Sequence, residues 1–185
     1  SPYTLDKVGN NIDTSPKEET STINYNNGSG FFVDVTASLG QYTVALANTV
    51  TNQISSSQIV YSGTGSGASF VVKRDATTRV YTVEQKDAGE FYAATETITI
   101  LGADLGGTSP ANNLLVTINT VGPGGEIETF TSSGTGSTVN TNVGINYGVN
   151  ESLKIFGNEL GGSSPENDLT INILSIDSNG KVLTF

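Results

Sequence analysis

Hard oxygen donors gather at two related places in this chain. Glu96, Asp104 and Asn112 stand in and around the run ILGADLGGTSPANNLL, and Glu151, Glu159, Glu166 and Asp168 around IFGNELGGSSPENDLT. Carboxylates and carboxamides at that density suit calcium, although their spacing is not that of an EF-hand loop. The same residues also have a reading that needs no ligand. Gly106 and Gly107, and their counterparts Gly161 and Gly162, supply backbone angles denied to other residues. Ser109 and Ser164 can accept from backbone donors two or three residues on, Pro110 and Pro165 fix the next residue, and Asn112 and Asn167 hold a tight turn. A structural turn without cofactor is the reading taken, with calcium as its alternative.

Other chemistry finds less support. Glu96 and Glu151 alternate onto the apolar side of their strands, where a carboxylate sits at a rim or is tied to backbone donors. A glycoside-cleaving pair needs two carboxylates facing one groove at a defined separation, and no pattern places them so. The run Gly63-Thr64-Gly65-Ser66-Gly67 lacks the Gly-Lys-Ser/Thr and the helix of a phosphate loop and reads as a linker. Tyr25, Tyr42, Tyr61, Tyr81, Tyr92 and Tyr147 could stack on sugars, but Trp is absent. Each Tyr is expected at a strand edge with its hydroxyl wet. The chain has no Cys and no His, so disulfides, thiolate chemistry, zinc sites of the usual kind and Ser-His-Asp catalysis all fall together.

Charge narrows the partners. Lys and Arg number 8 against 18 Asp and Glu, a formal net charge of −10, which repels a phosphate backbone, and nucleic acid is set aside. No apolar run reaches membrane-spanning length, and the first residues lack a charged-then-apolar signal pattern. Met is absent even at position 1, which reads as removal of the start residue or as processing.

The elements that must position these residues come as a repeat. Residues 92–130, YAATETITILGADLGGTSPANNLLVTINTVGPGGEIETF, return as residues 147–185, YGVNESLKIFGNELGGSSPENDLTINILSIDSNGKVLTF, at a constant offset of 55 (147 minus 92). Turn formers and apolar pegs persist between the copies while surface residues drift. Within them the period is two: Ile98 and Ile100, Leu153 and Ile155, Leu114, Val116 and Ile118, and Leu169, Ile171 and Ile173 share faces. With Ile127 and Val182 they form the expected core.

Upstream, Gly28-Ser29-Gly30 opens a hairpin whose second strand begins Tyr42-Thr43-Val44. Gly65-Ser66-Gly67 opens another that reaches Tyr81-Thr82-Val83. The fold class is therefore all-β: tandem variants of a small antiparallel, β-sandwich-like module behind an extended N-terminal arm. The expected boundaries are an arm at 1–27, a partial module at 28–62, a complete one at 63–137 and a shortened one at 138–185. Ser15-Pro16-Lys17-Glu18 has the form of a capping box and predicts at most one helical turn within the arm. Edge strands become the design problem of such a chain, since an edge either pairs inward or offers itself to another subunit.

The run SGTGSGASFVVKRD, then YTV, ILGADLGGTSPANNLLVTI and a second SGTGS, resembles a Gly-rich module of virion structural proteins in tailed phages, especially those of cyanobacteria and other marine bacteria. The resemblance runs unevenly over residues 28–185 and does not cover the arm. It implies a bacteriophage virion protein at the particle surface, with no catalytic residues to carry over. The expected function is a non-enzymatic accessory subunit, decorating the capsid or associated with the tail. It would be anchored through its arm and edge strands to other virion proteins, homo-oligomeric, and in contact with neither nucleic acid nor membrane. The alternative is a receptor- or glycan-binding module of a fibre tip or adhesin.

Overall fold

The computed structural model describes residues 16–18, 28–38 and 40–185. Among them run β1 (Pro16–Glu18), β2 (Ser29–Ser38), β3 (Gln41–Leu46), β4 (Thr49–Ile54), β5 (Ile59–Val60), β6 (Ser66–Asp75), β7 (Tyr81–Glu90) and β8 (Thr97–Ile100). There follow β9 (Leu114–Val121), β10 (Ile127–Ser133), β11 (Val143–Ile145), β12 (Ser152–Ile155), β13 (Leu169–Asn172), β14 (Ser175–Ile176) and β15 (Val182–Thr184). Three short 3-10 turns, Ser56–Gln58, Gly102–Leu105 and Gly157–Leu160, are the helical elements among the described residues. Every strand pairing is antiparallel, and the fold is all-β.

Pro16–Glu18 departs from the expected helical turn. It is a strand, with Pro16 opposite Asp34 and Glu18 opposite Phe32. Thr and Ser are poor helix formers, whereas the edge of β2 supplies backbone partners at once. The rest of the arm lies outside the described residues.

The chain divides into two compact units, and not along the segments that the sequence suggests. One is continuous, Thr49–Asn140; the other is split, Ser1–Asn48 with Thr141–Phe185. In the continuous unit, the sheets β4-β6-β7 and β10-β9-β8-β5 share one core of Ile54, Phe70, Val72, Tyr92, Ile98, Ile100, Leu114, Val116, Ile118 and Ile127. In the split unit, β2 pairs with β1, β3 and β11, while β12-β13 and β14-β15 form two short ladders. Its core is Phe31, Val33, Val35, Tyr147, Leu153, Ile155, Leu160, Ile171, Ile173 and Val182. The alternation read from sequence is what buries these faces: along β2, Phe31, Val33, Val35 and Ala37 are buried while Phe32, Asp34 and Thr36 between them are half-exposed. Leu169 is the expected core residue that remains half-exposed.

The split unit is one module assembled from the first part of the expected partial module and most of the expected shortened one. Its β2 corresponds to β6, since Gly30 and Gly67 both adopt positive φ, +80 and +85, and each approaches a second glycine, Gly144 or Gly89. The partner strand is where the units differ. In the continuous unit β7 runs unbroken along β6, with a register shift that sets Ser69 opposite Asp87 and Phe70 opposite Gln85, leaving Lys86 as the extra residue of a bulge. In the split unit the same partner strand comes in two lengths. β3 pairs Leu46 with Val33, and β11 pairs Val143 with Phe31.

The break falls at the bulge. Phe32 donates its N–H to the Asn142 carbonyl at 2.9 Å and accepts the Ala47 N–H at 3.0 Å, so Ala47 stands where Lys86 does and Asn142 where Asp87 does. The buried Asn142 carboxamide donates to the Ala47 carbonyl at 3.0 Å. A whole module has thus been spliced between two residues that its sister keeps adjacent. Joining Ala47 directly to Asn142, with residues 48–141 removed, is expected to restore an unbroken bulged strand and leave a folded β protein. Circular dichroism and a cooperative thermal transition check it, and an unfolded product would refute the equivalence.

Candidate functional site

The two Gly-Gly loops are built alike, and their geometry follows from their residue types. Each leaves a core strand through a 3-10 turn that ends on a glycine in the left-handed region, Gly106 at φ 75 and Gly161 at φ 83. Other side chains are disfavoured there. The next glycine is needed for space: a Cβ at Gly107 would collide with the carboxamide of Asn112, and one at Gly162 with that of Asn167. Asn112 Oδ1 accepts the Thr108 N–H at 3.0 Å, and Asn167 Oδ1 accepts the Ser163 N–H at 2.9 Å. The Ser109-Pro110 and Ser164-Pro165 peptides are cis.

Each loop is also tied to the hairpin in its own unit. Tyr81 donates its hydroxyl to the Asn112 carbonyl at 2.6 Å, and Tyr42 to the Asn167 carbonyl at 2.8 Å. Sequence analysis singled out these tyrosines but expected wet hydroxyls at strand edges and not a bond to the loops, although their shared Tyr-Thr-Val context was a usable signal. The residue after each Asn matters as well. Asn113 Oδ1 and Asp168 Oδ1 accept the Gly102 and Gly157 N–H groups, both at 2.8 Å.

The serines act differently from expectation. Ser109 Oγ accepts from Ala103 at 3.2 Å, six residues upstream, and Ser164 Oγ donates to the Asp168 carboxylate. Ala103 lies in the 3-10 segment that folds back toward Ser109.

The two carboxylates weighed as an acid/base pair stand in different units. Glu96 belongs to the continuous unit and is exposed, whereas Glu151 belongs to the split unit and is buried, its Oε2 accepting the Gly148 N–H at 2.9 Å. Among the described residues no group of three or more acidic side chains is placed to hold a metal ion. Tyrosine placement also corrects the sequence reading, because Tyr81, Tyr92 and Tyr147 are buried. Tyr92 and Tyr147 accept the Ala68 and Phe31 N–H groups at 3.3 Å with their hydroxyl oxygens. A ring laid over glycine, Gly65 under Tyr92 and Gly28 under Tyr147, draws each tyrosine inward. Burial, and secondarily the Glu96 carboxylate, push the Tyr61 hydroxyl above its ordinary pKa.

A buried cation went unseen in the sequence. Arg74, on the core-facing side of β6, is fully buried and donates to the Ser137 carbonyl and, at 2.9 Å, to the Val139 carbonyl. Burial pulls its pKa below the usual guanidinium value.

Two outcomes follow for the loops. Asn112→Ala removes a buried group that also donates to the Thr135 carbonyl at 3.0 Å, and is expected to cost about 2–3 kcal/mol. Asn167→Ala, at a less buried position, is expected to cost about 1 kcal/mol; urea titration of each variant checks the order. The Ser164 hydroxyl first, then the Gly157 N–H and the Lys154 ammonium, hold the Asp168 carboxyl below its ordinary 3.8. Its stabilising effect is present above the unfolded value and is lost as pH falls through the depressed folded one. Asp168→Asn, which mimics Asn113, is expected to flatten the acid-side loss of stability measured by thermal midpoints across that range.

No protein family, curated protein or solved structure matches the chain.

Proposed function

We propose that the chain is a non-enzymatic structural subunit of a bacteriophage virion, an accessory protein that decorates the capsid or sits on the tail and binds neighbours through extended strands. What carries this reading is the way polar chemistry is spent. Tyr81, Tyr42, Asn112, Asn167 and Asp168 all direct their polar atoms to backbone groups within their own units, and Arg74 does the same. Groups engaged in this way hold loops and strands in place and do not stand poised as acid, base or nucleophile. Short sheets whose edges are unpaired among the described strands are the surfaces by which such a module joins others. The resemblance of the SGTGS-flanked repeat to phage structural modules supplies the setting.

Mass spectrometry and labelling of intact particles is the direct test, and absence of the chain from purified virions would overturn the proposal. The arm gives a second measurement. Because Pro16–Glu18 adds to the chain's own β2, a deletion confined to residues 1–15 keeps β1 and is expected to leave a folded protein that no longer incorporates. Normal incorporation of that truncation would remove the anchoring role.

A further inference from the structure

Arg79 adopts a backbone conformation that its counterpart reaches with glycine. The Tyr-Thr-Val run at residues 81–83 matches that at 42–44, so Arg79 stands where Gly40 does. Their φ angles are nearly the same, +68 and +74. Glycine takes that angle freely, whereas a long side chain is disfavoured there. The arginine carries a strain that its sister avoids, and such strain concentrates at sites that use the side chain.

The group is also held in place. Arg79 donates its backbone N–H to the Asp75 carbonyl at 2.8 Å and accepts the Gly136 N–H at 2.9 Å, while its Nε donates to the Gly136 carbonyl at 2.7 Å. Its two terminal nitrogens have no hydrogen-bond partner among the described residues, and neither Arg79 nor the buried Arg74 forms an ion pair among them. Both guanidiniums grip one segment, Arg79 at Gly136 and Arg74 at Ser137 and Val139. Carbonyls solvate a cation but leave its charge uncancelled. In a chain of net charge −10, this corner therefore sets two positive charges against the one carboxylate of its turn, Asp75. The Asp75 Oδ1 is already taken by the Thr77 and Thr78 N–H groups, at 2.8 and 2.7 Å.

Arg79 borders a cleft of about 220 Å³. Its lining is hydroxyl-bearing at Thr78, Ser132, Ser133 and Thr135, and apolar at the buried Leu114 and Tyr81. We infer that this cleft binds one uronic acid unit of an acidic saccharide, with the sugar's carboxylate on the terminal nitrogens of Arg79. A planar carboxylate matches a guanidinium fork through two parallel hydrogen bonds. Hydroxyl groups both donate and accept, as a sugar's hydroxyls require, and Leu114 with the Tyr81 ring offers apolar surface to the C–H face of a pyranose. The cleft is smaller than the roughly 300–1,000 Å³ of pockets that enclose drug-sized ligands, which suits a single ring. A more highly charged phosphate finds one fork only and the repulsion of an acidic chain. The split unit, with Gly40 in place of Arg79, lacks the fork. This inference goes beyond the assembly reading above and does not rest on it.

The test titrates the full chain with methyl β-glucuronide, with methyl β-glucoside and inorganic phosphate as comparisons, and follows backbone amide resonances. The glucuronide is expected to shift residues 78–80 and 132–135 saturably, with a Kd of about 1–10 mM. The glucoside and phosphate are expected to bind there at least about tenfold more weakly. Arg79→Gly, which installs the sister unit's residue, and Arg79→Gln should each weaken the glucuronide by about tenfold or more while the thermal transition stays cooperative. Failure to saturate at these residues, undiminished binding in Arg79→Gln, or equal affinity for the neutral glucoside would overturn the site. Phosphate binding as tightly as the glucuronide would overturn the ligand class.

Discussion

The joint that makes one strand partner out of two distant segments in the split unit is the pair of backbone hydrogen bonds of Phe32. One peptide unit on β2 holds both the last residue of the outgoing strand, through the Ala47 N–H, and the first of the returning strand, through the Asn142 carbonyl. A β-bulge places two residues opposite one, so this is the position in the ladder where the partner strand can be cut without losing a regular pairing on either side. Asn142 then closes the cut, its buried carboxamide reaching back to the Ala47 carbonyl. A cut elsewhere in β3 would leave ladder groups of β2 unpaired opposite the gap, beside the buried Val33 and Val35.

This arrangement explains what the sequence could and could not disclose. Strands, turns and most of the core were legible, because Ile98 and Ile100, Leu153 and Ile155, and their partners across β9 and β13 obey a local period of two. The duplication was legible from its unbroken offset. That the partial and shortened modules contribute to one body was not, since pairing Phe31 with Val143 spans 112 positions (143 minus 31) and leaves no local periodic trace. The missing halves were themselves the clue: each piece lacks what the other has. Local patterns misled where a tertiary partner competed. The capping-box residues at 16–18 became a strand because β2 offered an edge, and Tyr92 and Tyr147 went inward because glycines made room for their rings.

The Gly-Gly loops show which parts of the motif are constrained. Glycine is fixed by backbone angle at 106 and 161 and by contact with Asn at 107 and 162. The following acceptor is constrained only in its Oδ1, which is why Asn113 in one copy is Asp168 in the other. A carboxylate there gains Ser164 and Lys154 as further partners, and Ser109 in the neutral copy turns instead to Ala103. The copies therefore conserve a hydrogen-bond geometry while exchanging its charge.

Arg74 answers the remaining difficulty of a spliced module, which is that its two ends must meet. Val50, near the start of the continuous unit, lies opposite Arg74 in the β4–β6 register, and the Val139 carbonyl, near its end, is held by the Arg74 guanidinium. One side chain thus stands at both ends of the module and fixes the departing chain beside the arriving one. Adjacent ends are what allow a domain to be inserted into a host without distorting it. Burying a guanidinium without a carboxylate partner is costly, and backbone carbonyls from the returning segment are the groups that offset the cost. The split unit has Ala37 at the corresponding point of β2, opposite Tyr42 as Arg74 is opposite Tyr81. Ala37 is buried there without any polar group to satisfy, and a small apolar residue suffices where the inserted copy carries a clasp.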